Sequence, residues 1–570
     1  MSPNPARKAS KSWPRYLRAL PIPLGLLCAS AALHGCSLLY DLDTSQCRVD
    51  ADCASIGEGL ICGAEHFCQI DTSGCASHAE CMDQLQTEAA CIKDAGKPRG
   101  ECVALKTAEC PQLLPLQPNL AEQELRRGDP VILAAFTKVT LDAFLFNYDL
   151  AVTEFQTINN GIPTSGGTRP VLMVACNANA AADNSGDFEG SLDRAMDHLI
   201  KLRVPGVVSS LEPDDLKRIF EQKGRAAKMF FMSSQESDST LNALVDDGLV
   251  WQVLPGGTGL AKAYKPVVDR TLTYLQNKGS LTGTARIAQV TTPDIRLLSD
   301  MSAIAQSDPP DGIVFNGMSV LENLRADNFQ ALTTPSSTAD GSADLSVQVE
   351  SLLVFKPHLI ISTGSAEFLT KVIPALEQQW DARASGQARP FYILSPYQFN
   401  RSSLSSVVLA QSPTVQQRLI GLNAPAAANS SLYSKYVTAF HQAYPEVVSY
   451  EGYENFYDSA YYLLFAATAA APRLTDGSSL ATGMFRLING GEPHDVGALD
   501  LSPALQALAR GPITLNGTLG PPNFNIVTGG RDDVAAVWCV DSTRKTQPDV
   551  LRYQASDGTM QGTFPCFPDY

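Results

Sequence analysis

The stretch VILAAFTKVTLDAFLFNYDLAVTEFQTINNGI, residues 131–162, sets the reading of this chain. Its first six residues, VILAAF (131–136), form a short apolar run that reads as a buried strand. Thr140 then stands where a helix N-cap belongs. Beyond it Leu141, Phe144, Leu145, Tyr148, Ala151, Val152, Phe155 and Ile158 recur at helical spacing and share one face. Asn160-Gly161 supplies the left-handed residues that stop a helix. A strand followed by a long amphipathic helix is half of a βαβ unit.

Outward from this unit the same rhythm repeats. VLMVAC (171–176), GVVSS (206–210) and KMFFM (228–232) read as strands. Between them lie a helix opened by Ser191, with Leu192, Ala195, Met196, Leu199 and Ile200 inward, and one opened by Pro213. The rhythm breaks near 252–259 and restarts after Gly256-Gly257 with a helix over 259–276. RIAQV (286–290), GIVF (312–315), HLIIST (358–363), FYIL (391–394) and RLIGL (418–422) are the later strands, and helices follow near 431–444 and 454–471. Repeated strand–helix–strand units imply parallel sheets with right-handed crossovers. So many strands, interrupted once, predict an α/β fold of two lobes with a cleft between them, ligands lying at the C-terminal strand edges.

The whole chain has 570 residues, 43 Lys+Arg against 59 Asp+Glu, and a net charge of −16. Hydrophobic residues at 44% and charged residues at 18% are ordinary for globular proteins. The acidic balance argues against nucleic acid as a partner. Past the N-terminus no apolar run reaches the ~20 residues of a membrane span.

The N-terminus reads as an export leader. Residues 1–18 carry Arg7, Lys8, Lys11, Arg15 and Arg18 and no acid, and ALPIPLGLLCASAAL (19–33) is an apolar stretch. It ends Leu33-His34-Gly35-Cys36, which resembles a bacterial lipobox. That resemblance implies removal of residues 1–35 and a lipid on Cys36, the membrane being met through that anchor only; ordinary cleavage nearby, with Cys36 in a disulfide, is the alternative. Loss of five positive charges leaves −16 − 5 = −21.

Cysteines then cluster. Cys47, Cys53, Cys62, Cys68, Cys75, Cys81, Cys91, Cys102 and Cys110 fall within a segment whose only aromatics are Tyr40 and Phe67, so residues 36–112 read as a covalently stapled stalk. The spacing suggests two four-cysteine units, C-x5-C-x8-C-x5-C and C-x5-C-x9-C-x10-C. Zinc sites favour C-x2-C pairs, which are absent here, so disulfides are the reading and no metal is expected. Each unit allows three pairings, and the sequence does not choose among them. Cys110 with Cys176, and Cys539 with Cys566, are expected as further pairs. The segment resembles the short Cys-rich modules at the N-terminus of myxobacterial surface lipoproteins, which implies a spacer or interaction module.

Over residues 127–540 the order of elements resembles the type I periplasmic binding proteins, the branched-chain amino-acid receptor group. The resemblance is carried by Asn-Asn-Gly-Ile (159–162), GVVSSLEPDDLKRIFEQKG (206–224) leading into KMFFMSSQES (228–237), VWQVLPG (250–256), YENFYDSAYYLLFAA (453–467), and Asn516-Gly517 with Gly520 and Phe524. It implies two Rossmann-like lobes joined by three crossovers, closing on a small polar solute such as an amino acid. On that reading the binding domain is 127–545, with one lobe at about 127–250 and 390–510, the other at about 255–385 and 511–545, and a tail at 546–570. The family's ligand positions map to Ser209 and Ser210 after the third strand, Gln235 and Ser237 after the fourth, Ser365 and Glu367 in the second lobe, and Tyr453 at the cleft. For each serine, helix capping competes with ligand contact, and for Glu367 a solvated first-turn acid does. Tyr457 and Asp458 read as structural.

No catalytic constellation stands out: there is no H-E-x-x-H, no G-x-S-x-G and no complete phosphate or dinucleotide loop, and no cofactor is expected. The expectation is an extracytoplasmic solute-binding lipoprotein serving an ABC permease, not an enzyme. The alternative is an envelope protein that uses the same fold for sensing or for docking another protein, which the Cys-rich stalk favours.

Overall fold

The computed structural model describes residues 45–562 apart from 54, 57–59, 71–73, 95, 138–141, 165, 178–186, 237–238, 294–295, 335–343, 365–366, 396–411, 424–430, 448–452, 472, 489, 532–533, 541–545 and 555–557. The export leader and Cys36 therefore lie outside the described residues. The chain divides into two compact units, residues 1–71 and 72–570.

In the first unit, strands Leu60–Cys62 and Cys68–Ile70 pair antiparallel, and disulfides join Cys47 to Cys62 and Cys53 to Cys68. The second cysteine group repeats that connectivity, with Cys75–Cys91 and Cys81–Cys102. First-to-third and second-to-fourth pairing thus resolves the three possibilities in each. The stalk expected over 36–112 is divided, however. Cys75, Cys81, Met82, Ala89, Ala90 and Val103 share one hydrophobic cluster with the first lobe, so the second group is built into the larger unit. Cys110–Cys176 closes as expected; Cys539 is in a disulfide, and Cys566, its expected partner, lies outside the described residues.

The larger unit is built on two large sheets. The first uses β1 (Gln112–Leu114), β2 (Val131–Thr137), β3 (Val171–Asn177), β4 (Gly206–Ser209), β5 (Phe230–Glu236) and β6 (Val250–Leu254), in the order β6-β5-β4-β2-β3-β1. All neighbours are parallel except β1, which runs antiparallel to β3 at the edge. Strands β2, β3 and β4 are almost wholly buried, as continuous apolar runs in a covered parallel sheet must be. The second sheet uses β7 (Ile287–Thr291), β8 (Phe329–Thr333), β9 (Leu359–Thr363), β10 (Phe391–Leu394), β11 (Leu419–Asn423), β12 (Val534–Val540), β13 (Thr546–Gln554) and β14 (Thr559–Gly562), in the order β8-β7-β9-β10-β11-β12-β13-β14. Its two faces carry separate apolar cores.

Helices α1 (Asp142–Asn159), α2 (Phe188–Lys201) and α3 (Pro213–Ile219) belong to the first lobe, and α4 (Tyr264–Asn277), α5 (Arg296–Ala305), α6 (Ser346–Phe355) and α7 (Ile373–Arg383) to the second. The chain then returns, and α8 (Ser431–Ala443), α9 (Glu454–Ala470), α10 (Gly477–Ile488) and α11 (Leu501–Arg510) complete the first lobe. Helix α9 is buried on nearly every side, which its apolar composition all round allows.

Three features differ from the sequence reading. FYIL and RLIGL lie in the second sheet, so the return to the first lobe comes after residue 423 and not before 390. The segment GIVF supplies only Val314–Phe315 of a small hairpin with Met318–Ser319. Asn316 and Gly317 both take positive φ, 54° and 72°, the two-residue turn that suits a hairpin, and the sheet strand is instead Phe329–Thr333. Finally, residues expected to be a tail form β13 and β14, an antiparallel extension of the second sheet.

Candidate functional site

The chain passes from the first lobe to the second just after β6 and returns just after β11, so the C-terminal edges of both parallel sheets lie at the crossovers. That is where open α/β sheets place ligands. A third crossover follows residue 516, and it runs beside the first. Gln252 N–H donates to Gly529 C=O at 2.9 Å, Gly256 N–H donates to Arg531 C=O at 3.1 Å, and Pro255 and Arg531 form a parallel bridge. Gly529 has φ +66°, and a Cβ there would meet Val250 O at 2.0 Å, so only glycine lets the two segments touch. Arg531, 2% exposed, fastens them by donating to Val253 O (3.3 Å) and Pro521 O (2.7 Å) while its guanidinium lies over the Phe524 ring.

Asp458 holds the start of the third crossover. Its carboxylate accepts from Thr518 N (2.9 Å), Thr518 Oγ1 (3.0 Å) and Leu519 N (3.2 Å). Burial raises its pKa to about 6, against the pull of those donors and of Arg531. Asp458 of the YENFYDSAYYLLFAA helix thus holds the backbone of this crossover.

Small hydroxyl residues crowd the strand edges. In the first lobe Thr137, Ser209, Ser210, Ser233 and Ser234 are all buried. Tyr148 OH lies 2.8 Å from Ser234 Oγ, which lies 2.7 Å from Ser459 Oγ, which donates to Phe456 O. Since Ser459 has one proton, the chain runs from Tyr148 through Ser234 to Ser459. In the second lobe Thr291 Oγ1 meets Thr363 Oγ1 at 2.7 Å and Ser302 Oγ at 3.0 Å. Thr292 Oγ1 meets Thr334 Oγ1 at 2.8 Å, and Ser395 Oγ donates to Gly364 O at 3.0 Å. These contacts orient hydroxyls at both edges.

The sequence-predicted residues fall unevenly on this frame. Ser209 Oγ accepts from Leu211 N (3.2 Å) and Ser210 Oγ donates to Phe136 O (3.1 Å), so both shape the turn after β4. Gln235 is in β5, whereas Ser237 and Ser365 lie outside the described residues. Glu367 is half-buried at the N-cap of a π-helical turn, Phe368–Val372, and its side chain makes no capping bond. Tyr453 is half-buried at the N-cap of α9 and packs edge-on against Phe144 at 5.0 Å; Phe144 in turn stacks on Phe456 at 4.3 Å. The sequence reading names Tyr453 as a cleft residue but not its partners Phe144 and Phe456, nor the hydroxyl pairs of the second lobe. A Ser or Thr closing each strand run is the signal that marks the latter.

The cysteine triads Cys47, Cys53, Cys68 and Cys75, Cys81, Cys102 come close enough to hold a metal, but every member is in a disulfide. Among the described residues no helix is long and apolar enough to cross a membrane.

No protein-family model matches the chain, and no curated protein does. Solved structures do match. An ABC transporter substrate-binding protein from Sphaerobacter thermophilus superposes with TM-score 0.50 at 13% identity, over 75% of this chain and 99% of that one. A leucine-binding protein from Thermotoga maritima gives 0.46 at 14% identity, over 75% and 99%. A fatty acid ABC transporter substrate-binding protein from Thermomonospora curvata gives 0.46 at 12%, over 78% and 94%. At such identities the likeness is one of fold. The chain has the two-lobed fold of type I periplasmic binding proteins, preceded by a disulfide-rich region.

Proposed function

We propose that this chain is an exported, lipid-anchored solute-binding protein that captures a small polar ligand between its lobes, without transforming it, and passes it to an ABC permease. The observation that carries the reading is the meeting of two hydroxyl-bearing strand edges at the crossovers. Each edge alone offers a few weak contacts. Closure would add the two sets and exclude water, so a ligand stabilises the closed form by its differential affinity. Tyr453 and Glu367 would be met by the ligand's apolar part and its ammonium, with Gln235, Ser237 and Ser365 contributing at the loops. Ser209, accepting from Leu211 N, and Ser210, donating to Phe136 O, would hold the loop's shape. The neighbours' names include leucine-binding and fatty-acid proteins, so amino acids and carboxylates are the first solutes to try. The disulfides suit an oxidising compartment, which supports export, and Cys36 would carry the lipid.

The test is a thermal-shift screen of the mature protein against amino acids, benzoate, fatty acids and sugars, followed by small-angle scattering with any hit. A shift that rises with concentration together with a smaller radius of gyration supports capture by closure. Hits that leave the radius unchanged, or none at all alongside a cross-linked envelope protein, would turn the reading to docking. That second reading draws on the cysteine-rich units, which solute capture by itself does not require.

A further inference from the structure

The first lobe carries a cavity of about 410 Å³ bounded by α1, α8, α9 and the turn at 495–500, and none of its lining residues belongs to the strand edges described above. Glu154 of α1 lines it and is only 8% exposed. Its Oε2 accepts from Tyr457 OH (2.6 Å) and Tyr461 OH (2.5 Å), and among the described residues no donor meets Oε1. Asp495 and Asp500 also line the cavity, and Lys435, exposed at the rim, is the single cation among the lining residues. Asp500 Oδ2 is engaged by Asp495 N at 2.8 Å and His494 Nδ1 at 3.1 Å.

The rest of the lining is aromatic and aliphatic. Tyr436 and Tyr457 lie with ring centroids 5.0 Å apart, and the Tyr436 hydroxyl is occupied by Asn147 Oδ1 at 2.6 Å, which leaves its ring as the useful surface. Leu432, Val496 and Leu499 add apolar wall, Leu499 being 78% exposed. Gly497 keeps the space open: it has φ +112°, and a Cβ there would come within 3.3 Å of Tyr457 OH.

A buried carboxylate with a free oxygen, no cation beside it and aromatic rings around it lacks one partner. Burial disfavours its charged form, and a cation supplied from outside would restore it. Three carboxylates against one ammonium repel an anion, whereas ring faces attract a cation. We propose that this cavity is a second binding site, separate from the cleft, for a protonated primary amine with a small apolar body, Glu154 serving as counter-ion and Tyr436 and Tyr457 as the wall.

Benzylamine tests this on the mature protein, with benzyl alcohol as its neutral counterpart. Thermal shift and titration calorimetry at neutral pH should show saturable binding of benzylamine and none of the alcohol at equal concentration. Glu154→Gln should weaken binding about tenfold or more, as for loss of a charge-assisted hydrogen bond. Thr438→Trp, which adds bulk at an exposed lining position, should abolish it and decides the matter even if Glu154→Gln fails to fold. Equal binding of the alcohol, no binding of the amine, or benzylamine binding undiminished in Thr438→Trp would overturn the proposal.

Discussion

Asp458 offers the sharpest test of how the crossover is held. The side chain is fully buried in α9, and its three donors all come from Thr518 and Leu519, sixty residues on. Burial raises its pKa from 3.8 to about 6. A carboxyl whose folded pKa is raised binds its proton more tightly in the native state, so stability from this group is present below the unfolded value and falls as pH rises from about 4 to about 6. The shift, 6 − 3.8, is about 2 units, which is worth roughly 3 kcal/mol at ~1.4 kcal/mol per unit. Asp458→Asn removes the titration and keeps the shape. Chemical denaturation of both proteins across pH 3.5 to 7, followed through the buried first-lobe Trp251, gives two profiles. The variant should gain about 3 kcal/mol on the parent across that window, while other titrating groups cancel in the difference. Parallel profiles would refute the reasoning, because they would mean the carboxyl titrates alike folded and unfolded.

Three further outcomes follow from the packing. Tyr264 is fully buried and its hydroxyl has no partner among the described residues, so Tyr264→Phe should stabilise the second lobe by about 1 kcal/mol in denaturant titrations; a loss would show a hidden partner. Replacing Cys110 and Cys176 together by serine opens a link across 66 residues, and chain entropy sets the cost at about 4 kcal/mol, measurable as a lower denaturation midpoint; an unchanged midpoint would contradict it. Glu377 is driven up by burial, but the hydrogen bonds and charge of Arg418, with Arg389 and Tyr392, outweigh this and hold its pKa down. Arg418→Met should therefore cost about 3 kcal/mol at neutral pH and less once pH falls below the ordinary glutamate range of 4.5, as the stabilising charge is lost; an equal cost at both would contradict the ion-pair account.

Much of the fold was legible because its signals are local. Apolar runs such as VILAAF and VLMVAC are strands wherever they pack, and the face of α1 from Phe144 to Phe155 reads at helical spacing. The strand at 329–333 lies at the edge of the second sheet with only Phe329 buried, so its sequence carries no marked strand pattern, whereas the apolar run GIVF does although Asn316-Gly317 turns it into a hairpin. Ser209 and Ser210 read in sequence as ligand hydroxyls or helix caps; in the fold Ser209 accepts from Leu211 N and Ser210 donates to Phe136 O.

Composition, periodicity and cysteine spacing determined an α/β chain of two lobes with a covalently stapled N-terminal region, since these depend on neighbours within a few turns of one another. Tertiary structure alone decided which lobe each strand joins, how the cysteines pair within the two four-cysteine groups, and what Glu154 is. In sequence Glu154 is one acid on an amphipathic helix. It becomes a buried carboxylate facing a cavity only because α9 brings Tyr457 and Tyr461 to it across 303 and 307 residues. Burial depends on what a distant segment covers, and a residue's sequence neighbours do not carry that information.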